Sequence, residues 1–381
     1  GVSFVRGSGE GRYVFEVQSG LLISTAQDVG PIDVKAYDYM RSIVLYVQTT
    51  SAGGGTTTST FSSDAVFNTL SYIRVKQPNG QTMYSVSSGY HGAMIQKYGL
   101  VRPSPWAIDP RQDPLYNNVG LGSQATLGGN VAGTTPSINF AIRIPFELDL
   151  RDALGALPNK DAAAPFTIEL GLNSTSTIFN VAPQTAPTIK ITPVLEAYDQ
   201  PPEELDGKRV DTTPPNMNTL QRWTEQSITM VSGSFDARVR KLGNYVRELI
   251  FITKNTSSVR QTAANGWSDP VQIVLDEDIK DNLSLRTWEK DISEIWGYGA
   301  LFGGATVSPA LDTAGGMDTG VFPYQYCVTR DDPFPEDVAK YLPTIESEDY
   351  LLRGQSWGAN VGKMVVLKCE VLPRGDIFGD A

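Results

Sequence analysis

A chain of 381 residues carries a net charge of −11, with 19% charged residues, one histidine and two cysteines. The length exceeds one ordinary domain and suits two of roughly 150 to 200 residues, each able to bury a core. The acidic balance, with no cluster of Lys and Arg, excludes an extended phosphate-binding surface, and no run of about 18 apolar residues offers a membrane-spanning helix.

Residues 1–10 lack an apolar signal-type segment, and the absence of an initiator Met leaves a processed leader open. Short apolar segments at 13–17 and 21–24 lead to a strand over 35–47, which breaks at Gly53-Gly54-Gly55. Strand signals resume at 70–75. Pro78-Asn79-Gly80 then reads as a hairpin turn, because Asn-Gly tolerates positive φ. Residues 102–136 form a long loop rich in Pro, Gly and Asn, of the kind that binds a neighbour or decorates a surface. Ile138 to Ile144 is a half-buried strand. Asp149 is placed to cap a helix over 150–157, stopped by Pro158. Strands at 166–172 and 189–198 close this half, and the Pro-rich polar stretch from Gln200 to Pro215 reads as a linker.

The second half runs through strands at 228–235 and 244–253, a polar loop at 255–266 and a strand at 271–275. Ile279, Leu283, Ile292 and Ile295 recur at helix-like intervals, predicting helix within 276–299. A second long loop covers 303–320, followed by a strand at 322–329. A short helix then runs from Pro335 to Tyr341, ended by Pro343. Strands at 350–353 and 363–372 finish the chain.

The two halves share an order of elements, and one stretch nearly repeats. Tyr39-Met40-Arg41-Ser42-Ile43-Val44 matches Tyr245-Val246-Arg247-Glu248-Leu249-Ile250, as one strand that starts at a wet rim and enters a core. One β-rich module used twice explains both facts. Two unrelated sandwiches, matched by chance in apolar pattern, are the alternative.

Equipment for catalysis is sparse. His91 lies in Ser88-Gly89-Tyr90-His91-Gly92 with no nucleophile motif nearby and reads as a loop or core histidine. Asp276-Glu277-Asp278 with Asp281 could attract calcium, but Lys280 and the lack of a turn glycine break the EF-hand pattern. Gly7, Gly9 and Gly11 follow no strand and read as a flexible leader rather than a nucleotide loop. Asn173, Asn255 and Asn282 head glycosylation-type triplets of a sort that Ser/Thr-rich chains produce by accident. Cys327 and Cys369 lie in separate apolar strands and read as reduced core residues. Trp223, Trp267, Trp288, Trp296 and Trp357, with Tyr298 and Phe302, suit packing or an interface, or else a sugar-binding platform. No catalytic, cofactor-binding or metal-ligating residue is assigned.

With 36 Gly and 24 Pro the chain has many turns, and its low charge density leaves much surface to face other protein. Two tandem β-modules, long loops, a short helix near the end of each half and the Tyr-apolar-Arg strand starts at Tyr39 and Tyr245 resemble double jelly-roll major capsid proteins. Among these the resemblance is to the tectivirus type of tailless double-stranded DNA phages with an internal membrane, in the lineage of adenovirus hexon. The resemblance implies an all-β fold of two tandem eight-stranded jelly-roll sandwiches with short helices and long loops, over 1–200 and 220–381, with 201–219 as linker. It further implies a non-enzymatic homotrimer of hexagonal outline, made in the host cytoplasm, that tiles an icosahedral virion. Its expected partners are neighbouring capsomers, penton and minor capsid proteins, and the internal membrane near the N-terminus, with no direct contact to nucleic acid. The start is shorter than the N-terminal helix that some relatives place beneath the shell. A secreted or surface β-sandwich that binds or cleaves polysaccharide is the competing expectation. A capsid protein of another double-barrel virus, archaeal or eukaryotic, is a third.

Overall fold

The computed structural model describes residues 1–51, 59–62, 64–99, 138–148, 152–215, 219–231, 233–240, 243–261, 270–296, 318, 320–326, 341–345, 347–354 and 361–372. Four expected features lie largely outside these residues: the loops at 102–136 and 303–320, the helix at Pro335–Tyr341, and Cys327. So do Trp267, Trp357, Tyr298 and Phe302.

A helical turn, α1 (Phe4–Gly7), precedes β1 (Glu10–Val14), β2 (Gln18–Leu22), β3 (Gln27–Asp33) and β4 (Tyr39–Ser51). Next come β5 (Thr60–Phe61), β6 (Leu70–Lys76), β7 (Thr82–Val86), the helix α2 (Gly89–Tyr98) and β8 (Asn139–Pro145). The half closes with β9 (Leu157–Pro158), β10 (Thr167–Leu172), α3 (Thr175–Ile178), β11 (Phe179–Val181) and β12 (Thr188–Tyr198). A hairpin of β13 (Glu204–Leu205) and β14 (Lys208–Arg209) follows. The later strands are β15 (Leu220–Thr229), β16 (Phe235–Arg238), β17 (Tyr245–Asn255), β18 (Val271–Leu275) and β19 (Asp278–Leu283). After α4 (Leu285–Trp296) come β20 (Val321–Gln325), β21 (Leu342–Pro343), β22 (Tyr350–Gly354) and β23 (Val361–Leu372).

The strands fall into two sets with one topology. In the first, a sheet ordered β1-β12-β4-β8 opposes one ordered β3-β10-β6-β7, with β2 extending β1 alongside β12. In the second, β15-β23-β17-β20 opposes β16-β22-β18-β19. Counted from one to eight along the chain, each set reads 1-8-3-6 against 2-7-4-5, the jelly-roll order. Inward residues such as Ile43, Leu45 and Val47 of β4 meet Ile73, Val75, Ile168 and Leu170 from the opposing sheet. The sets also touch edge to edge, where β15 runs parallel to β7 through the single pair Trp223↔Tyr84.

The Asn79-Gly80 turn joins β6 to β7 as its residues require, with Gly80 at φ 81° and its N–H donating to Gln77 O at 2.8 Å. Four expectations need correction. Residues 152–156 form turns rather than the end of a helix, because Ala153 (φ 65°) and Gly155 (φ 88°) leave the helical region. Gly155 also runs so close to Phe146 that a Cβ there would lie 2.8 Å from its carbonyl oxygen. Residues 278–283, expected as helix, are a strand, with Asp276 and Glu277 both at positive φ in the tight turn before it; helix begins only at Leu285. The strand expected over 228–235 is two, since β15 ends at Thr229 and β16 starts at Phe235. The expected flexible leader is tied down: Phe4 is buried against Tyr39 and Tyr198, and Val2 bridges to Val210 beside the β13–β14 hairpin. No described helix is long and apolar enough to cross a membrane.

Candidate assembly site: the seam between the two sandwiches

The near-repeat found in the sequence marks the third strand of each jelly roll. In both, the arginine is bulged out of register against the eighth strand. Met40 pairs with Ala197 and Ser42 with Glu196, skipping Arg41, while Val246 pairs with Glu370 and Glu248 with Cys369, skipping Arg247. The carbonyl of each arginine accepts an N–H from the residue following the sixth strand, Phe146 for Arg41 and Tyr326 for Arg247, both at 3.0 Å. Each strand start is further paired with a Leu-Pro dipeptide. Tyr39 and Met40 meet Pro158 and Leu157, whereas Tyr245 and Val246 meet Pro343 and Leu342. The two prolines expected to stop helices are therefore equivalent strand partners.

The arginine side chains diverge. Arg41 lies at a rim, donating to Glu147 at 2.9 Å and Glu10 at 2.7 Å with its guanidinium over Tyr198. Arg247 is fully buried, donates to the Gly99 carbonyl and to Cys369 Sγ, and sits 5.8 Å from the Trp223 ring centroid. It belongs to a seam that α2 makes with the outer face of the β15-β23-β17-β20 sheet.

Ser88 caps α2 by accepting from the Tyr90 N–H, and the helix is buried along nearly its whole length. Gly92 lets it pack on the first jelly roll, since a Cβ there would already crowd Tyr84, Ile73 and Ile142. Across the seam, Lys97 Nζ lies 2.6 Å from Asp318 Oδ2, both side chains fully buried, and Tyr98 OH donates to the same oxygen at 2.8 Å. Gln325 Nε2 donates to Tyr98 O at 2.9 Å. At the other end of the helix His91 Nδ1 lies 2.9 Å from Glu225 Oε2, and Ser87 donates twice to the same carboxylate. Burial opposes charge on Glu225, but His91 and Ser87 outweigh it and hold the carboxyl down at about 2. Farther along, Arg260 Nε donates to Asp64 Oδ1 at 2.9 Å. Among β17 residues, burial pushes Glu248 up to about 8 despite neighbouring Arg247. The Lys97–Asp318, His91–Glu225 and Arg260–Asp64 pairs connect residues of one jelly roll to residues of the other, and α2 covers the part of the second sheet's outer face around Trp223, Glu248 and Gln325, while Ser227 and Thr229 at the end of β15 stay exposed.

His91 is thus a core histidine on a helix that no periodicity announced. Asp276 accepts the backbone N–H groups of Glu348 and Asp349 at 2.7 and 2.8 Å, as a turn cap rather than part of a calcium loop. Among the described residues no group of three or more His, Cys, Asp or Glu side chains is placed to hold a metal. Cys369 is a free, buried thiol that burial pushes up to about 11. Trp223 and Trp288 are each 1% exposed and pack in the core rather than forming a platform.

No family model and no curated protein matches this chain. Solved structures do. The STIV major capsid protein, of Sulfolobus Turreted Icosahedral Virus, is 11% identical with a TM-score of 0.60 over 96% of this chain and 97% of its own. The major capsid protein P2 from bacteriophage PM2 is 10% identical, with a TM-score of 0.51 over 96% of this chain and 99% of its own. The Faustovirus major capsid protein is 10% identical, with a TM-score of 0.55 over 96% of this chain and 91% of its own. With its repeated 1-8-3-6 and 2-7-4-5 sheets, this chain has the double jelly-roll fold seen in those viral major capsid proteins.

Proposed function

We infer that the chain is a structural major capsid protein of an icosahedral virion, building its shell as a homotrimer in which six jelly rolls surround the axis. The observation that carries this reading is the seam: two jelly rolls of one topology, held side by side through buried ion pairs such as Lys97–Asp318. Two similar modules in fixed relation let three copies present a hexagonal outline, which tiles a surface. A catalytic role gains no support from His91, which is buried in the seam.

In this reading residues 1–200 and 220–381 are the two modules and 201–219 the connection between them. Neighbouring capsomers are the main partners. Penton and minor capsid proteins, an internal membrane near the N-terminus and the tectivirus lineage are its finer parts. Light scattering on purified protein tests it: a stable mass of three chains, with hexagonal particles in negative stain, is expected. A dispersed monomer at micromolar concentration overturns it.

A further inference from the structure

The second jelly roll places charge where the first places none. Between β15 and β23, Arg222 pairs with Glu370 and Thr224 with Lys368. The equivalent pairs of β1 and β12 are Gly11 with Ala197 and Tyr13 with Leu195. Equivalence follows from the bulge, since Ala197 pairs with Met40 as Glu370 pairs with Val246. Residues two apart on a strand share a face, and Arg222, Thr224, Gln226 and Ile228 occupy the inward one. Ile228 packs on the main core, and Gln226 reaches the opposing sheet's β16, donating to Arg238 O at 2.9 Å. Lys368 and Glu370, directly opposite Thr224 and Arg222, therefore point into the sandwich as well. The fold does not require charge at this end, because Gly11, Leu195 and Ala197 fill the same positions in the first module.

Lys368 and Glu370 have side chains 5% and 0% exposed, with Nζ 2.8 Å from Oε1. Arg222 lies diagonally across from Lys368 on the same face. Arg240 approaches from the end of β16, where Gln226 Oε1 accepts its backbone N–H at 2.7 Å and holds it beside β15. Arg240 is exposed, Arg222 half-buried and Lys368 buried, so the group runs from solvent into the sandwich. Burial lowers Lys368 from its ordinary value; Glu370 opposes that, and the charges of Arg240 and Arg222 lower it further. Two of the cations also have buried donors to satisfy. Arg222 Nε has no hydrogen-bond partner among the described residues, and Lys368 Nζ meets Glu370 as an ion pair outside hydrogen-bond geometry. Buried donors left unmatched are rare because they are costly, and an anion would match both.

We propose that Arg222, Arg240 and Lys368 form a binding site for a single dianionic phosphate group, which joins β15, β23 and the segment after β16 at that end of the second jelly roll. Charge selects the class. Three cations less one carboxylate leave a surplus of two, which hydrogen phosphate or a phosphate monoester neutralises and a phosphodiester or a carboxylate does not. The planar guanidinium groups suit phosphate oxygens taken in pairs, and Lys368 adds a point charge. One enclosed group is distinct from the extended basic surface that the acidic composition excludes. The site lies within one chain and stands apart from the capsid reading.

Isothermal titration calorimetry of the full chain, with sodium phosphate as titrant in chloride buffer of fixed ionic strength, tests this. Saturable binding of one phosphate per chain is expected. The melting temperature should rise with phosphate and not with further chloride, since a ligand of the folded state stabilises it. Arg240→Gln, at an exposed position, should keep the melting temperature in chloride and weaken phosphate binding by about tenfold or more. Arg222→Met should weaken it similarly. Glycerol phosphate and dimethyl phosphate then distinguish the sources. Competition by glycerol phosphate extends the site to monoesters and its absence restricts the site to the free ion, either result supporting the proposal. Dimethyl phosphate, a monoanionic diester, should not compete. Equal affinity for dimethyl phosphate, no saturable heat in folded wild type, or folded Arg240→Gln that binds phosphate as tightly as wild type overturns the proposal.

Discussion

Arg41 and Arg247 are the bulged third residues of equivalent strands, yet one guanidinium reaches carboxylates at a rim while the other is buried under Gly99 and Trp223. The backbone role is shared, and the side-chain role follows from what lies outside each sheet. Arg247→Met leaves the Gly99 carbonyl buried without its donor and removes the positive charge beside buried Glu248, which costs about 3 to 5 kcal/mol. Arg41→Met loses partly solvated bonds and costs about 1 to 3 kcal/mol. Urea unfolding of the two variants should show the larger drop in midpoint for Arg247→Met; equal drops would remove the distinction between rim and seam.

The Lys97–Asp318 pair connects α2 to the segment before β20 with both charges fully buried. Breaking it in Lys97→Met should destabilise the chain by about 3 to 5 kcal/mol, because a buried carboxylate is left behind. The double variant Lys97→Met with Asp318→Leu should recover most of that loss, since removing both charges also removes their desolvation penalty. A double-mutant cycle by chemical denaturation checks this, and additive losses would contradict it.

Two seam carboxylates titrate in opposite senses. Burial raises Glu248 from the ordinary 4.5 to about 8, so the folded chain holds a proton that the unfolded chain releases, and its contribution falls as pH rises from about 4.5 to 8. Glu225, held near 2, contributes stability above about 4.5 that is lost as pH falls toward 2. Glu248→Gln should therefore flatten the decline between pH 5 and 8, and Glu225→Gln should flatten the loss at acid pH. Denaturation midpoints across pH for wild type and both variants provide the measurement.

Gly99 follows α2 in a backbone conformation open to any residue, so space alone demands glycine there. A Cβ would lie 2.6 Å from the Trp223 ring. Gly99→Ala should overpack the seam and cost about 1 to 3 kcal/mol. The matching decrease in melting temperature, with a reduced near-ultraviolet tryptophan signal, is the expected readout.

Strands that alternate or run apolar from a polar start were legible because burial on one or both faces writes itself into the pattern, as at β4, β12, β17 and β23. The bulge arginines were legible only as a repeat; nothing local distinguishes a bulge residue from any strand residue. Helix α2 gave no helical period because it is enclosed on all sides, with Tyr90, Ala93, Met94 and Tyr98 buried alike. The turn before β19 was hidden because Asp276 and Glu277, rather than Asn-Gly, adopt its positive φ. The seam lay beyond sequence reasoning altogether, since Asp64 and Arg260, or Lys97 and Asp318, meet only after both jelly rolls have formed.

The central claim is that copies of this chain continue, one after another, the side-by-side arrangement already present inside it. Cryo-electron microscopy of the purified protein measures that most directly. The account predicts three chains around a threefold axis and six sandwich-shaped densities in a ring. A ring closed by a twofold axis, or particles showing only one pair of sandwiches, would contradict it.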